Sequence, residues 1–238
     1  MRIETKVIIL ASKPKAPIVL ATLLPMGLLL IADIAIGDLY LFVLINRGMV
    51  HPVLDFACVY LAPVLFAVFY VLTSTGLYLS AESASTVTGI LSATNGALSY
   101  AIGSLIKQLV MRPRPEVAAR VMNEARIVGF WHTSTFSFPS TTTMLAFGLA
   151  FPILLQKQRA GTILVALSYL IGFAVIYTGF HFPLDVAAGA FLALPGTLGT
   201  NLLEGPLVNF ISRYRFKELW RHLQWRRTVR YLPCVSNV

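Results

Sequence analysis

Apolar residues in this chain come in long blocks separated by short polar breaks. Six blocks stand out: 17–36, 56–78, 86–106, 140–155, 161–177, and a sixth that starts at 183 and runs past 194. A helix needs about 20 mostly apolar residues to cross a bilayer, so each block is expected to be a membrane-spanning helix. Asp33 falls near the far end of the first block and is expected to reach the interface or a partner. Segment 37–54 is mixed and is expected to lie partly in the interface, and Pro195 is expected to bend the sixth helix. The third block is rich in small residues, among them Gly89, Gly96, Ser99 and Gly103. Small residues let helices approach closely, which predicts a central place in the bundle for this one.

Composition narrows the class. Of 238 residues, 57% are hydrophobic and only 12% charged, against about 25% charged in an average soluble domain. That excludes a soluble globular enzyme and a disordered chain, and two cysteines, Cys58 and Cys234, do not make a disulfide scaffold. The expectation is an all-α integral membrane protein, with one six-helix bundle over residues 1–212 and a basic tail over 213–238. The first block is about as long as a full span and has no small-residue cleavage site, unlike a cleaved signal peptide.

The net charge of +9 does not form a folded basic patch, so nucleic acid is not an expected partner. Eleven of the nineteen basic residues lie in the two terminal tails, which the positive-inside rule places in the cytoplasm. In the C-terminal tail, Phe216, Leu219, Trp220 and Leu223 recur at helical spacing, with Arg215, Arg221 and Arg226 elsewhere on the wheel. This is the pattern of a helix lying on an anionic leaflet.

Six spans put both tails, and the tight loop carrying Lys157 and Arg159, on the cytoplasmic side. Segment 107–138 then faces outward, although it holds five basic residues: Lys107, Arg112, Arg114, Arg120 and Arg126. Charge bias alone would not leave them there, which assigns them a chemical task. Three segments share this face: 107–115, 138–142 and 177–185. Lys107, Arg112 and Arg114 form a cationic cluster with fork-shaped donors suited to phosphate oxygens. Ser140 and His181 each stand at or just before a helix N-terminus, where free N–H groups favour an anion; Pro183 suits a first helical position. Asp185 lies four residues after His181, so its carboxylate can reach back to one ring nitrogen. That fixes the tautomer and leaves the other nitrogen as nucleophile or base. Together these groups describe a phosphate site at a membrane surface.

The three segments resemble the signature of the type 2 phosphatidic acid phosphatase (PAP2) family, which shares its fold with vanadium haloperoxidases: K-x6-R-P, P-S-G-H and S-R-x5-H-x3-D. Lys107 with Arg114-Pro115 matches the first part in full, Pro139-Ser140 half of the second, and His181 with Asp185 the end of the third. Haloperoxidases are soluble, so composition selects the membrane phosphatase branch. The resemblance implies that His181 is the nucleophile, that Asp185 orients it, and that Lys107, Arg114 and Ser140 bind phosphoryl oxygens. It implies no metal and no other cofactor. The implied reaction is hydrolysis of a lipid phosphate or diphosphate, a polyprenyl diphosphate above all, through a phosphohistidine on the outer face of the cell membrane.

Two family positions differ. Thr142 stands where the family has the histidine of P-S-G-H, and Ala174-Val175 where it has S-R. Protonation of the leaving group therefore does not carry over, and one phosphate-binding arginine is gone. General acid catalysis is worth typically about 10²–10⁴-fold. An alkoxide leaving group needs it; a phosphate monoester, with a second pKa of about 6, does not. A lipid diphosphate thus suits the site better than a lipid monophosphate. His132 is the candidate to replace the missing acid, Arg112, Arg120 or Arg126 the candidates to replace the missing guanidinium, and Thr142 is a further candidate substitute at the site. Two other classes stay open: a lipid-phosphate binder that has lost turnover, and a phosphotransferase that passes the phosphoryl group to another lipid. A transporter is disfavoured, because the chain shows no inverted repeat and no mid-span charged pair. His51 and His222 read as plain interface residues.

Overall fold

The computed structural model describes residues 16–118, 125–129 and 136–230, with side chains as far as Tyr214. The described residues form α1 (Ala16–Thr22), α2 (Leu24–Ile36), α3 (Asp38–Asn46), α4 (Pro52–Phe56), α5 (Ala62–Leu79), α6 (Ser83–Val110), α7 (Thr141–Gln156), α8 (Gln158–Tyr177), α9 (Pro183–Leu192) and α10 (Leu194–Arg230). Among them there is no strand, only an isolated bridge between Pro113 and Phe136. A π-helical turn, Ala57–Leu61, joins α4 to α5. Three stretches of the described residues are long and apolar enough to cross a membrane: Pro52–Leu79, Gln158–Tyr177 and Pro183–Tyr214. The bent pair α2 and α3 makes a fourth if counted as one span, and Thr141–Gln156 is apolar but shorter. Val64, Val68, Leu72 and Leu105 are all more than half exposed, an apolar exterior that hydrocarbon rather than water would cover.

The first apolar block is not one rod. α1 stops at Thr22, whose hydroxyl turns back to the Val19 carbonyl at 2.7 Å, and a proline opens α2. At Gly37 the backbone takes φ 91°, a conformation open to glycine at little cost, and α3 leaves at 112° to α2. Half of segment 37–54 is helix α3, packed on α8 and α9. This bend buries Asp33, 6% exposed, with one carboxylate oxygen lacking a hydrogen-bond partner among the described residues.

The centre of the bundle is α7, not the small-residue helix α6. α7 is buried all round, with Met144, Pro152, Ile153 and Leu154 on successive faces, and packs on α6, α8, α9 and α10. α6 is one wall, and its small residues make the seam. A Cβ on Gly103 would stand 2.6 Å from the Met144 sulfur, and one on Gly148 2.7 Å from the Ser99 hydroxyl. Asn95 of α6 adds bonds to the Gly148 carbonyl, 2.8 Å, and to Thr197 of α10, 3.0 Å. The break expected at Pro195 falls at Ala193, just ahead of it. Past Tyr214, the aromatic and basic side chains of the tail lie outside the described residues.

Candidate active site

Four helix ends build the site. α6 closes with Met111 in the left-handed region, φ 51°, its N–H bonded to the Lys107 carbonyl at 3.0 Å. The chain turns back, and the Ser137 N–H takes the Arg112 carbonyl at 2.8 Å, tying together the two ends of the long loop. Lys107 is 4% exposed and donates to the carbonyls of Phe136, 3.1 Å, and Ser137, 2.9 Å. Ser140 caps α7, accepting from the Thr143 N–H at 3.4 Å and the Thr143 hydroxyl at 2.9 Å. Its own N–H reaches the Asp185 carbonyl at 2.9 Å, which fastens the start of α7 to α9. After α8, Gly179 at φ 91° passes so close to the Arg126 carbonyl that a Cβ would collide with it. Arg114, 3% exposed, donates to the Phe180 carbonyl at 2.7 Å.

The three motif segments therefore meet. His181 is 3% exposed, with Nδ1 3.5 Å from Asp185 Oδ2. That is ion-pair range rather than a hydrogen bond, and Nδ1 has no hydrogen-bond partner. Such contacts commonly tighten only when substrate is bound. Asp185 Oδ2 accepts the Phe182 N–H at 2.9 Å, and Oδ1 accepts Arg112 at 2.8 Å. Burial, helped by the nearby charges of Arg114 and Lys107 and opposed by Asp185, pushes the His181 imidazole down to about 4. At neutral pH the ring is thus uncharged and keeps a lone pair, as a nucleophile must. Burial also lowers Arg114 below its usual value. Two buried cations beside an uncharged histidine leave the site positive, the state that attracts an anion.

A cavity of about 260 Å³ opens against this cluster. Arg114, Thr142 and His181 line one part; Cys58, Val59, Ile171 and Val175 line the rest. Lys107 and Ser140 do not line it. Both positions that depart from the family signature, Thr142 and Val175, are on its wall, so the missing histidine and arginine leave an apolar space. Arg112 sits beside the histidine pair but is held by Asp38 and Asp185. Arg126 stands elsewhere, paired with Asp55 and 5.6 Å over the Tyr177 ring. His132 and Arg120 lie outside the described residues. His51 caps α4, its ring accepting the Val53 N–H at 3.2 Å.

Two polar groups of the site carry no motif. Asn46 is fully buried and bonds the Tyr177 carbonyl, 2.7 Å, and both the carbonyl and the N–H of Arg126, 2.8 and 2.7 Å. Asp38 reaches Arg112 and accepts the Leu184 N–H at 3.1 Å. Their only signal is an acid or amide in otherwise apolar sequence, in Asp38's case just after a glycine.

A model of the PAP2 superfamily matches residues 88–203, the stretch that carries all three motif segments. By this match just under half of the chain is PAP2-like. The chain is 37% identical over 82 residues to the bacitracin transport permease protein BcrC of Bacillus licheniformis, 34% of this chain and 40% of that protein. It is 31% identical over 99 residues to the undecaprenyl-diphosphatase BcrC of Bacillus subtilis, 42% of this chain and 49% of that one. The chain thus spans less than half the length of the curated relatives it matches. The crystal structure of a PAP2-type phosphatidylglycerolphosphate phosphatase from Bacillus subtilis superposes with a TM-score of 0.55 at 18% identity, over 79% of this chain and 96% of that one. That likeness is one of fold.

Proposed function

We propose that this PAP2-like protein is a membrane lipid phosphatase that acts on lipid diphosphates, polyprenyl diphosphates above all, with His181 as its nucleophile. The observation that carries this reading is a 3%-exposed histidine just before α9, 3.5 Å from a carboxylate and near two buried cations. The third N–H of Lys107, the Arg114 guanidinium, the Ser140 hydroxyl and the first N–H groups of α7 hold the terminal phosphoryl oxygens. Nε2 of His181 attacks phosphorus. The N–P bond forms as the bridging P–O bond breaks, and the lipid monophosphate leaves with the electron pair and without a proton. Asp185 balances the positive charge left on the ring. Water then attacks phosphorus, the N–P bond breaks, inorganic phosphate departs, and the water proton passes to solvent. The lipid next to the leaving phosphate meets the apolar wall of Val59, Ile171 and Val175.

The same reading places six passes in the membrane, both termini in the cytoplasm, the site outside and the basic tail on the inner leaflet. It is supported by the eleven basic residues of the tails and by the basic turn between α7 and α8. The printed name of one relative, an undecaprenyl-diphosphatase, favours a polyprenyl substrate. Phosphate release is to be measured with purified protein and a chelator, on prenyl diphosphate, prenyl monophosphate and phosphatidate. Release from the diphosphate is expected to be about 10²-fold faster or more, and His181→Ala to release none. Turnover surviving in His181→Ala sinks the mechanism. Tight binding without release by the wild type supports a lipid-phosphate binder, and label passing into lipid supports a phosphotransferase.

A further inference from the structure

We propose that Asp38 is a positioning residue for His181, acting through Arg112 and Asp185; this rests on His181 being the nucleophile. The bend at Gly37 sets Asp38 at the first position of α3, against the start of α9. One carboxylate oxygen accepts the Leu184 N–H at 3.1 Å and the other takes Arg112. The second terminal nitrogen of Arg112 donates to Asp185 Oδ1 at 2.8 Å, and its guanidinium lies 4.3 Å over the Phe182 ring. Asp185 Oδ2 in turn faces His181 Nδ1 at 3.5 Å. Three charged groups from three parts of the chain, α3, the loop after α6 and α9, thus end on the imidazole.

Charge explains why the array takes this form. An arginine bound to Asp185 alone would cancel the carboxylate that must balance a phosphohistidine. Shared between Asp38 and Asp185, the same guanidinium leaves the trio one negative charge in excess. The trio is buried enough for that charge to be felt, with Asp185 at 0%, Asp38 at 18% and Arg112 at 24% side-chain exposure. Across the site stand Lys107 of α6 and Arg114. Asp33 of α2 is buried within electrostatic reach of Asp38, Arg112 and Asp185. Without Asp38, His181 faces a nearly neutral Asp185–Arg112 pair on one side and two cations on the other. The ring then holds a positive charge less readily, and Arg112 is free to draw the carboxylate away from Nδ1.

Asp38→Asn tests this, since it keeps an oxygen for the Leu184 N–H and removes only the charge. Its kcat on prenyl diphosphate is expected to fall roughly 10-fold or more with KM little changed. The acid limb of its kcat/KM profile should move to lower pH. Arg112→Gln should move that limb the opposite way, and Asp38→Glu should recover most of the lost kcat. In an Arg112→Gln background, Asp38→Asn should have almost no further effect, because the two act as a unit. Wild-type kcat and an unmoved limb in Asp38→Asn, with His181→Ala inactive, would show that Asp38 only caps α9 and overturn the proposal. If Asp38→Asn does not accumulate, an unmoved limb in Arg112→Gln overturns it equally. Activity in His181→Ala removes the nucleophile reading, and this proposal with it.

Discussion

Two walls of one cavity differ sharply. On the first, Arg114 and His181 line the cavity, and Lys107, which does not line it, is close enough for its charge to act on His181; both cations are almost fully buried and bonded to backbone carbonyls. On the second, Val59, Ile171 and Val175 offer nothing to a charged atom. The family signature is kept at Lys107, Arg114, His181 and Asp185 and lost at Thr142, beside the charged groups, and at Val175, on the apolar side. On the proposed mechanism, binding and attacking the phosphoryl group fall to the residues that are kept, whereas protonating what leaves would fall to position 142. A site altered in this way would favour leaving groups that need no proton.

The largest expected effect separates the walls directly. Arg114→Ala should lower kcat/KM on prenyl diphosphate by about 10²–10³-fold, the loss typical of one donor to a charged transition state. Val59→Ala should change it by no more than a few-fold; equal losses would erase the distinction. Next, Thr142→His puts an acid back in the cavity, in the part lined by Arg114 and His181. Release from prenyl monophosphate should rise by about 10²-fold while the diphosphate rate barely moves. An equal gain on both substrates would mean that the leaving group was never the obstacle.

A pH profile sharpens the comparison further. Because burial lowers His181 from 6.5 to about 4, kcat/KM should hold through pH 6 and fall only as the pH drops toward about 4. A limb near 6.5 would show a histidine open to water. The same shift bears on stability. Between those two values the unfolded chain binds more protons than the native one, so the stabilisation from the uncharged ring is complete above about 6.5 and fades as pH falls toward 4. The smallest effect is at the cap. Ser140→Ala should cost about 1 kcal/mol in chemical denaturation, and no measurable loss would mean that Ser140 does not hold the end of α7.

The charged cluster was legible because its residues keep fixed short spacings, Lys107 to Arg114 and His181 to Asp185, each close to a helix end. Asp38 was not, because its partner Arg112 lies 74 positions away and no local rule links them. Gly37 was visible as a glycine, but one glycine in an apolar run does not announce a 112° turn; only the packing of α3 on α8 and α9 fixes it. The small residues of α6 pointed correctly to a tight seam and wrongly to the centre. Smallness marks where two helices touch, whereas the centre is the helix that the others pack around, α7.

The π-helical turn at Ala57–Leu61 has a consequence for insertions and deletions. Such a turn holds one residue more than an α-helical turn, so the chain before it is set about 100° around the axis from where an unbroken helix would leave it. Asp55 reaches both Tyr177 and Arg126 from just ahead of this turn. Deleting Tyr60 or Leu61 would keep every side chain named above yet rotate Asp55 off its partners and re-aim Cys58 and Val59. The phase of this one rod, more than any residue on it, sets how α5 closes the cavity.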